Sequence, residues 1–207
     1  MWLSTNLIPF RYMQVRRLVH RVFVSIAALA PLALPAPATA GVWSTVSDWG
    51  REGADQFRLI RDQGSSDLYV AGYAHHGRNT YTPERLAELN ENAWGAGYGR
   101  RLRNARGNDD IVYVLGISDS HFKPQLMAGY AHEWIYPLGR SGLELGVGYT
   151  AMLMSRADYF GGVPFPIALP LGSIGTRDIK LRASYVPRLS QKKGNGDVLL
   201  MFVSIGI

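Results

Sequence analysis

The sequence predicts an all-β protein, an eight-stranded antiparallel transmembrane β-barrel with an N-terminal amphipathic interfacial helix. Three observations carry that expectation. The chain opens with an export signal, no later stretch approaches the ~20 consecutive apolar residues a membrane helix needs, and from about residue 67 onward apolar residues recur with a period of two. An exported chain rich in Gly and Tyr, with no second hydrophobic span, is either periplasmic or an outer-membrane barrel.

Residues 1–40 read as a secretory signal peptide. Arg16, Arg17 and Arg21 precede the apolar run 22–34, and Ala38-Thr39-Ala40 is a small-x-small cleavage site before Gly41. Pro31 and Pro35 break the run, which argues against a retained anchor. Residues 41–66 read as an amphipathic helix and a linker. Val42, Val46, Trp49, Phe57 and Ile60 form a stripe among Asp48, Arg51, Glu52 and Arg58, with the acids toward the start and Arg58 and Arg61 toward the end. Such a helix would lie on the periplasmic interface as a clamp.

The barrel is expected over 67–207, in segments near 67–78, 93–104, 109–118, 125–136, 143–155, 166–175, 178–187 and 196–207. Most have the ~9–11 residues of a tilted membrane strand. In each, an apolar and aromatic face alternates with a small or polar one: Tyr69-Ala71-Tyr73-His75 against Gly72-Ala74-His76, or Leu145-Val147-Tyr149-Ala151 against Gly146-Gly148-Thr150. Connections alternate too. Those near 79–92, 156–165 and 188–195 are long, and turns at Gly107, 138–142 and Gly175-Thr176 are short, as in barrels with long outer loops and short periplasmic turns. A soluble sandwich or lipocalin-like barrel would alternate as well, but it has no need of aromatics at both ends of an apolar outer face.

An eight-stranded barrel has room inside for side chains or one small ligand. The inward face is expected to include Gly72, Gly95, Gly97, Gly99, Gly129, Ala131, Gly146 and Gly148, with Met127 and Met152 nearby. Small residues there leave an apolar slot suited to a hydrocarbon chain, or they relieve crowding where strands coil. Two basic clusters, Arg100/Arg101/Arg103 and Arg188/Lys192/Lys193, fit either lipid phosphate or solvated turns. Nucleic acid has no place in this compartment. With no cysteine, and no compact His/Asp/Glu spacing, neither metal nor cofactor is expected.

The chemistry-bearing residues are His76, Asp119 and Ser120. Each lies where an alternating segment ends, so that strand counting brings all three to one rim. A proton acceptor, a carboxylate and a hydroxyl suffice for acyl transfer. Adjacent Asp119 and Ser120 would point to opposite faces of a regular strand, so they must lie where strand gives way to loop.

From Leu68 to the carboxyl terminus the chain resembles the PagP family of outer-membrane lipid A palmitoyltransferases. The matching pieces, in order, are LYVAGYAHHGR (68–78), NENAWGAGYG (90–99), SDS (118–120), MAGYAHEW (127–134), PFPIALPLGSIG (164–175) and YVP (185–187). The resemblance implies transfer of a fatty acyl chain, palmitoyl or somewhat shorter, from a glycerophospholipid to lipid A of lipopolysaccharide. The reaction would occur in the outer leaflet of the outer membrane, at a monomeric barrel with its active site facing outward. It places the catalytic set on His76, Asp119 and Ser120. The acyl slot would run past Met127 and Gly129 to a floor at Ala131, with lateral access beside Pro170 and Pro187, since proline donates nothing to a ladder. The family's second pair of wall prolines is replaced here by Ala71 and Ala93, its floor glycine by Ala131 and its terminal aromatic by Ile207. His132 is expected to face lipid. Two rival readings are a non-enzymatic structural or adhesion barrel, which predicts a filled polar lumen, and a lipid A deacylase. The deacylase family carries a His-x-Ser pair near its end, and residues 197–207 contain no histidine.

Overall fold

A computed structural model describes residues 39–157, 160–188 and 196–207; residues 1–38 of the leader expected over 1–40, and Lys192 and Lys193, fall outside them. The chain divides into two compact units, Met1–Asp48 and Trp49–Ile207, and the barrel lies wholly in the second.

Eight strands follow one another round a closed barrel: β1 (Ser65–His76), β2 (Gly95–Arg103), β3 (Asp109–Ser118), β4 (Pro124–Pro137), β5 (Glu144–Arg156), β6 (Phe165–Gly175), β7 (Ile179–Val186) and β8 (Val198–Gly206). All neighbours pair antiparallel, and β8 closes on β1. The helix α1 spans Thr39–Gln63, and a short helix α2 (Pro83–Glu88) sits in the connection after β1. Thr82 caps α2 by accepting the Arg85 backbone N–H, with Pro83 in its first turn.

Alternation explains the strands. On β5 and β6, Leu145, Val147, Tyr149, Leu153 and Ile174 are exposed outside, while Thr150, Met152, Met154, Leu169 and Leu171 are buried inside. The exposed apolar belt ends in aromatics, Tyr73, Trp94 and Tyr185 toward one rim and Trp134 and Tyr136 toward the other. A soluble barrel would present polar groups there; a bilayer requires this pattern.

Strand β1 carries a register shift between Ala71 and Tyr73, so its inward residues are Asp67, Tyr69 and Ala71, then Ala74 and His76. Gly72, expected inside, is exposed at the bulge, because one inserted residue flips the face of every residue beyond it. Among the other glycines, a Cβ on Gly129 would lie 2.5 Å from the Ala151 carbonyl oxygen and 2.6 Å from the Met152 Cβ. Glycine is demanded there by the closeness of β5, not by slot space.

Arg101 and Arg103 face the lumen, not lipid phosphate or solvent. Arg101 donates to Asp67 at 2.8 and 3.1 Å, and Arg103 to Asp109 at 2.6 and 3.1 Å and to Glu144 at 3.0 and 2.8 Å. Lys180 joins Asp109 at 3.2 Å and Glu144 at 3.0 Å, and Arg182 pairs with Glu133 and donates to Ser204 at 2.9 Å. Four acids thus neutralise four bases across the lower lumen. Buried charges persist only when paired in this way, since desolvation costs several kcal/mol per ion.

Outside the lower barrel, His132 is partly buried and bonded. Its Nδ1 lies 2.7 Å from Asp110, which also accepts from Tyr130 (2.6 Å), Asn104 (3.0 Å) and Gln56 of α1 (3.3 Å). The ring meets Trp134 edge-on at 5.0 Å. Lipid contact is therefore not this imidazole's main environment. Near the same end of α1, Ile60 is fully buried, whereas Phe57, expected on the same stripe, is half exposed.

Candidate active site

Above the ionic layer the lumen turns apolar. Ile111, Leu115, Ile117, Met127, Met152, Met154, Leu169, Leu171 and Phe202 line a cavity of about 150 Å³. A single water needs roughly 10–15 Å³ of such space, so the cavity is well beyond a packing defect. Its floor holds Tyr69, Ala131 and a crossbar in which Tyr113 and Thr150 share a hydrogen bond of 2.6 Å. Its mouth holds Ser118, Asp119, Ser120 and Arg156.

Of the residues expected to bind an acyl chain, Met127 and Ala131 line this cavity, both buried. Gly129 lies between them on β4 but contributes no wall. Pro170 and Pro187 are not part of the lining; they flank a break in the sheet. The β6–β7 ladder runs only from Gly175↔Lys180 to Leu171↔Ser184, leaving Phe165–Pro170 unpaired with β7. The Ser184 hydroxyl donates instead to the Pro170 carbonyl at 3.2 Å. A similar break occurs where prolines are absent, as β1–β2 pairing ends at Ala71↔Gly95.

His76, Asp119 and Ser120 share the rim reached by the tops of β1 and β3. The His76 side chain is fully buried, with Nε2 2.9 Å from Ser120 Oγ. In the tautomer protonated at Nδ1, the serine hydroxyl donates to Nε2. The ring is held edge-on by Tyr81 at 5.4 Å.

Asp119 has a different set of partners from the imidazole. Its Oδ1 accepts the backbone N–H groups of His121 and Lys123, both at 2.8 Å, and its own N–H donates to the Lys123 carbonyl at 2.8 Å. This turn carries Phe122 at φ 59°, the left-handed region that a bulky residue enters only when its surroundings impose it. The second oxygen, Oδ2, is buried, makes no hydrogen bond among the described residues, and stands 3.9 Å from Arg156 Nη2. Asn90 braces the turn: its backbone donates to the Ser120 carbonyl at 2.9 Å and its side chain to the Asp119 carbonyl at 3.1 Å.

The carboxylate nearest the imidazole belongs to Glu91, which sequence reasoning did not single out. Glu91 Oε1 lies 3.4 Å from His76 Nδ1 and accepts the His76 backbone N–H at 3.0 Å. Arg78 clasps the same carboxylate at 2.6 and 2.7 Å, and Tyr73 donates to it at 3.0 Å. Mainly through the Arg78 bonds, the Glu91 carboxyl is held down at about 2, so it stays charged at any physiological pH. The only signal in the sequence was the charge of the 77–94 connection, where Glu84, Glu88 and Glu91 accompany Arg78 and Arg85 and nothing marks Glu91 among them.

A serine hydroxyl in contact with an imidazole at the mouth of an apolar cavity is an arrangement able to carry out acyl transfer. The family model described as "Antimicrobial peptide resistance and lipid A acylation protein PagP" matches residues 56–204. The chain is 39% identical over 175 residues to a lipid A acyltransferase PagP of Bordetella pertussis, covering 84% of this chain and 94% of that protein. A protein of the same name from Methylobacillus flagellatus is 38% identical, with 89% and 96% covered. One from Legionella pneumophila is 35% identical, with 73% and 80% covered.

Proposed function

The chain belongs to the PagP family of lipid A acylation proteins, and from that membership we propose that it is an outer-membrane acyltransferase moving a fatty acyl chain from a glycerophospholipid to lipid A. The single observation that carries the assignment to these residues is the 2.9 Å contact between His76 Nε2 and Ser120 Oγ at the mouth of an apolar cavity.

The donor's acyl chain enters through the β6–β7 break beside Pro170 and Pro187 and fills the cavity down to Ala131. Each buried CH₂ contributes about 0.8 kcal/mol, which holds the ester at the level of Ser120. His76 removes the Ser120 proton as Oγ attacks the ester carbonyl. The acyl–oxygen bond to the glycerol breaks, and the proton passes from His76 to the departing lysophospholipid. A lipid A hydroxyl, oriented by Asp119 Oδ2, then attacks the acyl-serine; His76 takes its proton and returns it to Ser120. The reaction needs no oxidant, and every proton is returned. The rim faces the cell exterior, and one barrel suffices.

A purely structural barrel would be filled with paired charges throughout; here, among the described residues, the charge pairs fill the lower lumen and the space above is apolar. The test uses the purified full chain, a phospholipid labelled in one acyl chain and lipid A. Ser120→Ala and His76→Ala, folded as judged by circular dichroism, should each lose at least about 10²-fold in transfer rate. Full activity in both would reject the site.

A further inference from the structure

We infer that Glu91 is the carboxylate that orients the catalytic imidazole, so that Ser120, His76 and Glu91 form a hydroxyl–imidazole–carboxylate chain, and that Asp119 shapes the turn presenting Ser120. The inference rests on the acyltransferase reading above and deepens it by adding a positioning residue.

The geometry separates the two acids. A group that bonds the far nitrogen of an imidazole base aims the ring, and fixing that nitrogen's proton leaves the near one free to accept. The far nitrogen, Nδ1, faces Glu91 Oε1 at 3.4 Å, while the near one, Nε2, faces Ser120 at 2.9 Å. The Asp119 oxygens are directed elsewhere, Oδ1 into its own turn and Oδ2 toward Arg156 and the cavity mouth.

Glu91 is also well fixed for the task. It comes from the segment facing the upper half of β1, where no strand pairs with β1 from that side: Glu91 O accepts from Ala74 N at 2.9 Å, and the side chain takes the His76 N–H. One residue therefore both closes the β1–β2 break and points a carboxylate at the imidazole. Arg78 and Tyr73 leave it little freedom to rotate away. Its neighbour Asn90 holds the Ser120 turn from the opposite side, so a single dipeptide, Asn90-Glu91, registers the hydroxyl against its base.

Around His76 stand Glu91 and Arg78, His75 on its own strand, Tyr81 from the loop, and Ser120 with Asp119 and Arg156 behind it; Asp197, at the head of β8, bonds Gly77. Of these, the Glu91 charge favours the imidazolium and the Arg78 charge opposes it. Removing either must move the acid limb of the rate profile, and in opposite directions.

The test is the pH dependence of kcat and KM for the full-length barrel in detergent, with a labelled phosphatidylcholine donor and lipid A acceptor. Glu91→Gln should lower kcat by on the order of 10²-fold with KM little changed, and move the acid limb down by about one pH unit. Arg78→Gln should move the limb up. A folded Glu91→Gln variant with wild-type kcat and an unmoved limb overturns the inference. Should Glu91→Gln fail to fold, Glu91→Asp decides: a lowered kcat with KM little changed supports the inference, and a wild-type kcat overturns it. Full activity in His76→Ala and Ser120→Ala would instead reject the parent acyltransferase site, an outcome Glu91→Gln does not produce.

Discussion

Ala131→Gly tests whether the cavity measures the acyl chain. Ala131 pairs with Ile111 on one side and Thr150 on the other, at the level of the Tyr113–Thr150 crossbar. The next inward residue on β4 is Glu133, paired with Arg182, so the chain end meets either this methyl or a layer of ions. Removing the methyl frees the volume of about one CH₂. A donor one carbon longer then buries one more methylene, worth about 0.8 kcal/mol, or roughly a fourfold shift in relative kcat/KM. Ala131→Met works in the opposite direction, since its three added heavy atoms should shorten the preferred chain by about three carbons, at an overpacking cost of about 1–3 kcal/mol. The assay is competition among phosphatidylcholines of graded chain length, read by mass spectrometry of the acylated lipid A. Identical product distributions from wild type and both folded variants would refute the reasoning and move the floor elsewhere.

Other outcomes follow from the same structure. Glu133→Ala leaves Arg182 buried without its carboxylate and should destabilise the barrel by about 3–5 kcal/mol, seen as a lower urea midpoint; an unchanged midpoint would show the lower lumen to be hydrated. Ile60→Ala removes a fully buried side chain from α1 and should cost about 2 kcal/mol or more in the same measurement. The Arg78–Glu91 clasp has a pH window. The Glu91 carboxyl lies at about 2 against an ordinary 4.5, a depressed acid, so its contribution is complete above about 4.5 and is lost as pH falls toward 2. Limited proteolysis of the 77–94 loop with an acid-active protease should therefore accelerate below about pH 4, and a flat profile to pH 2 would contradict the assignment.

Strand positions were legible because a half-buried strand writes its two faces into alternate residues, and every observed strand lies within two residues of its expected span. The bulge at Gly72 was not, because Tyr73 suits either face and the apparent alternation runs on through the slip. Periodicity also assigns a face but no partner. Lys180 and Arg182 could be placed inward, but their pairing with Asp109, Glu144 and Glu133 depends on register across the lumen. At the rim, strand ends brought His76 near Ser120. Glu91 stayed hidden because the fold of the 77–94 connection, with its Thr82-capped turn and the Asn90 brace, leaves no periodic trace.

The most direct measurement is mass spectrometry of lipid A from cells carrying this chain, cells carrying Ser120→Ala and cells lacking it. Lipid A heavier by one fatty acyl group is expected only where the intact site is present. An unchanged lipid A spectrum beside a correctly inserted wild-type barrel, or the same gain with Ser120→Ala, would contradict this expectation.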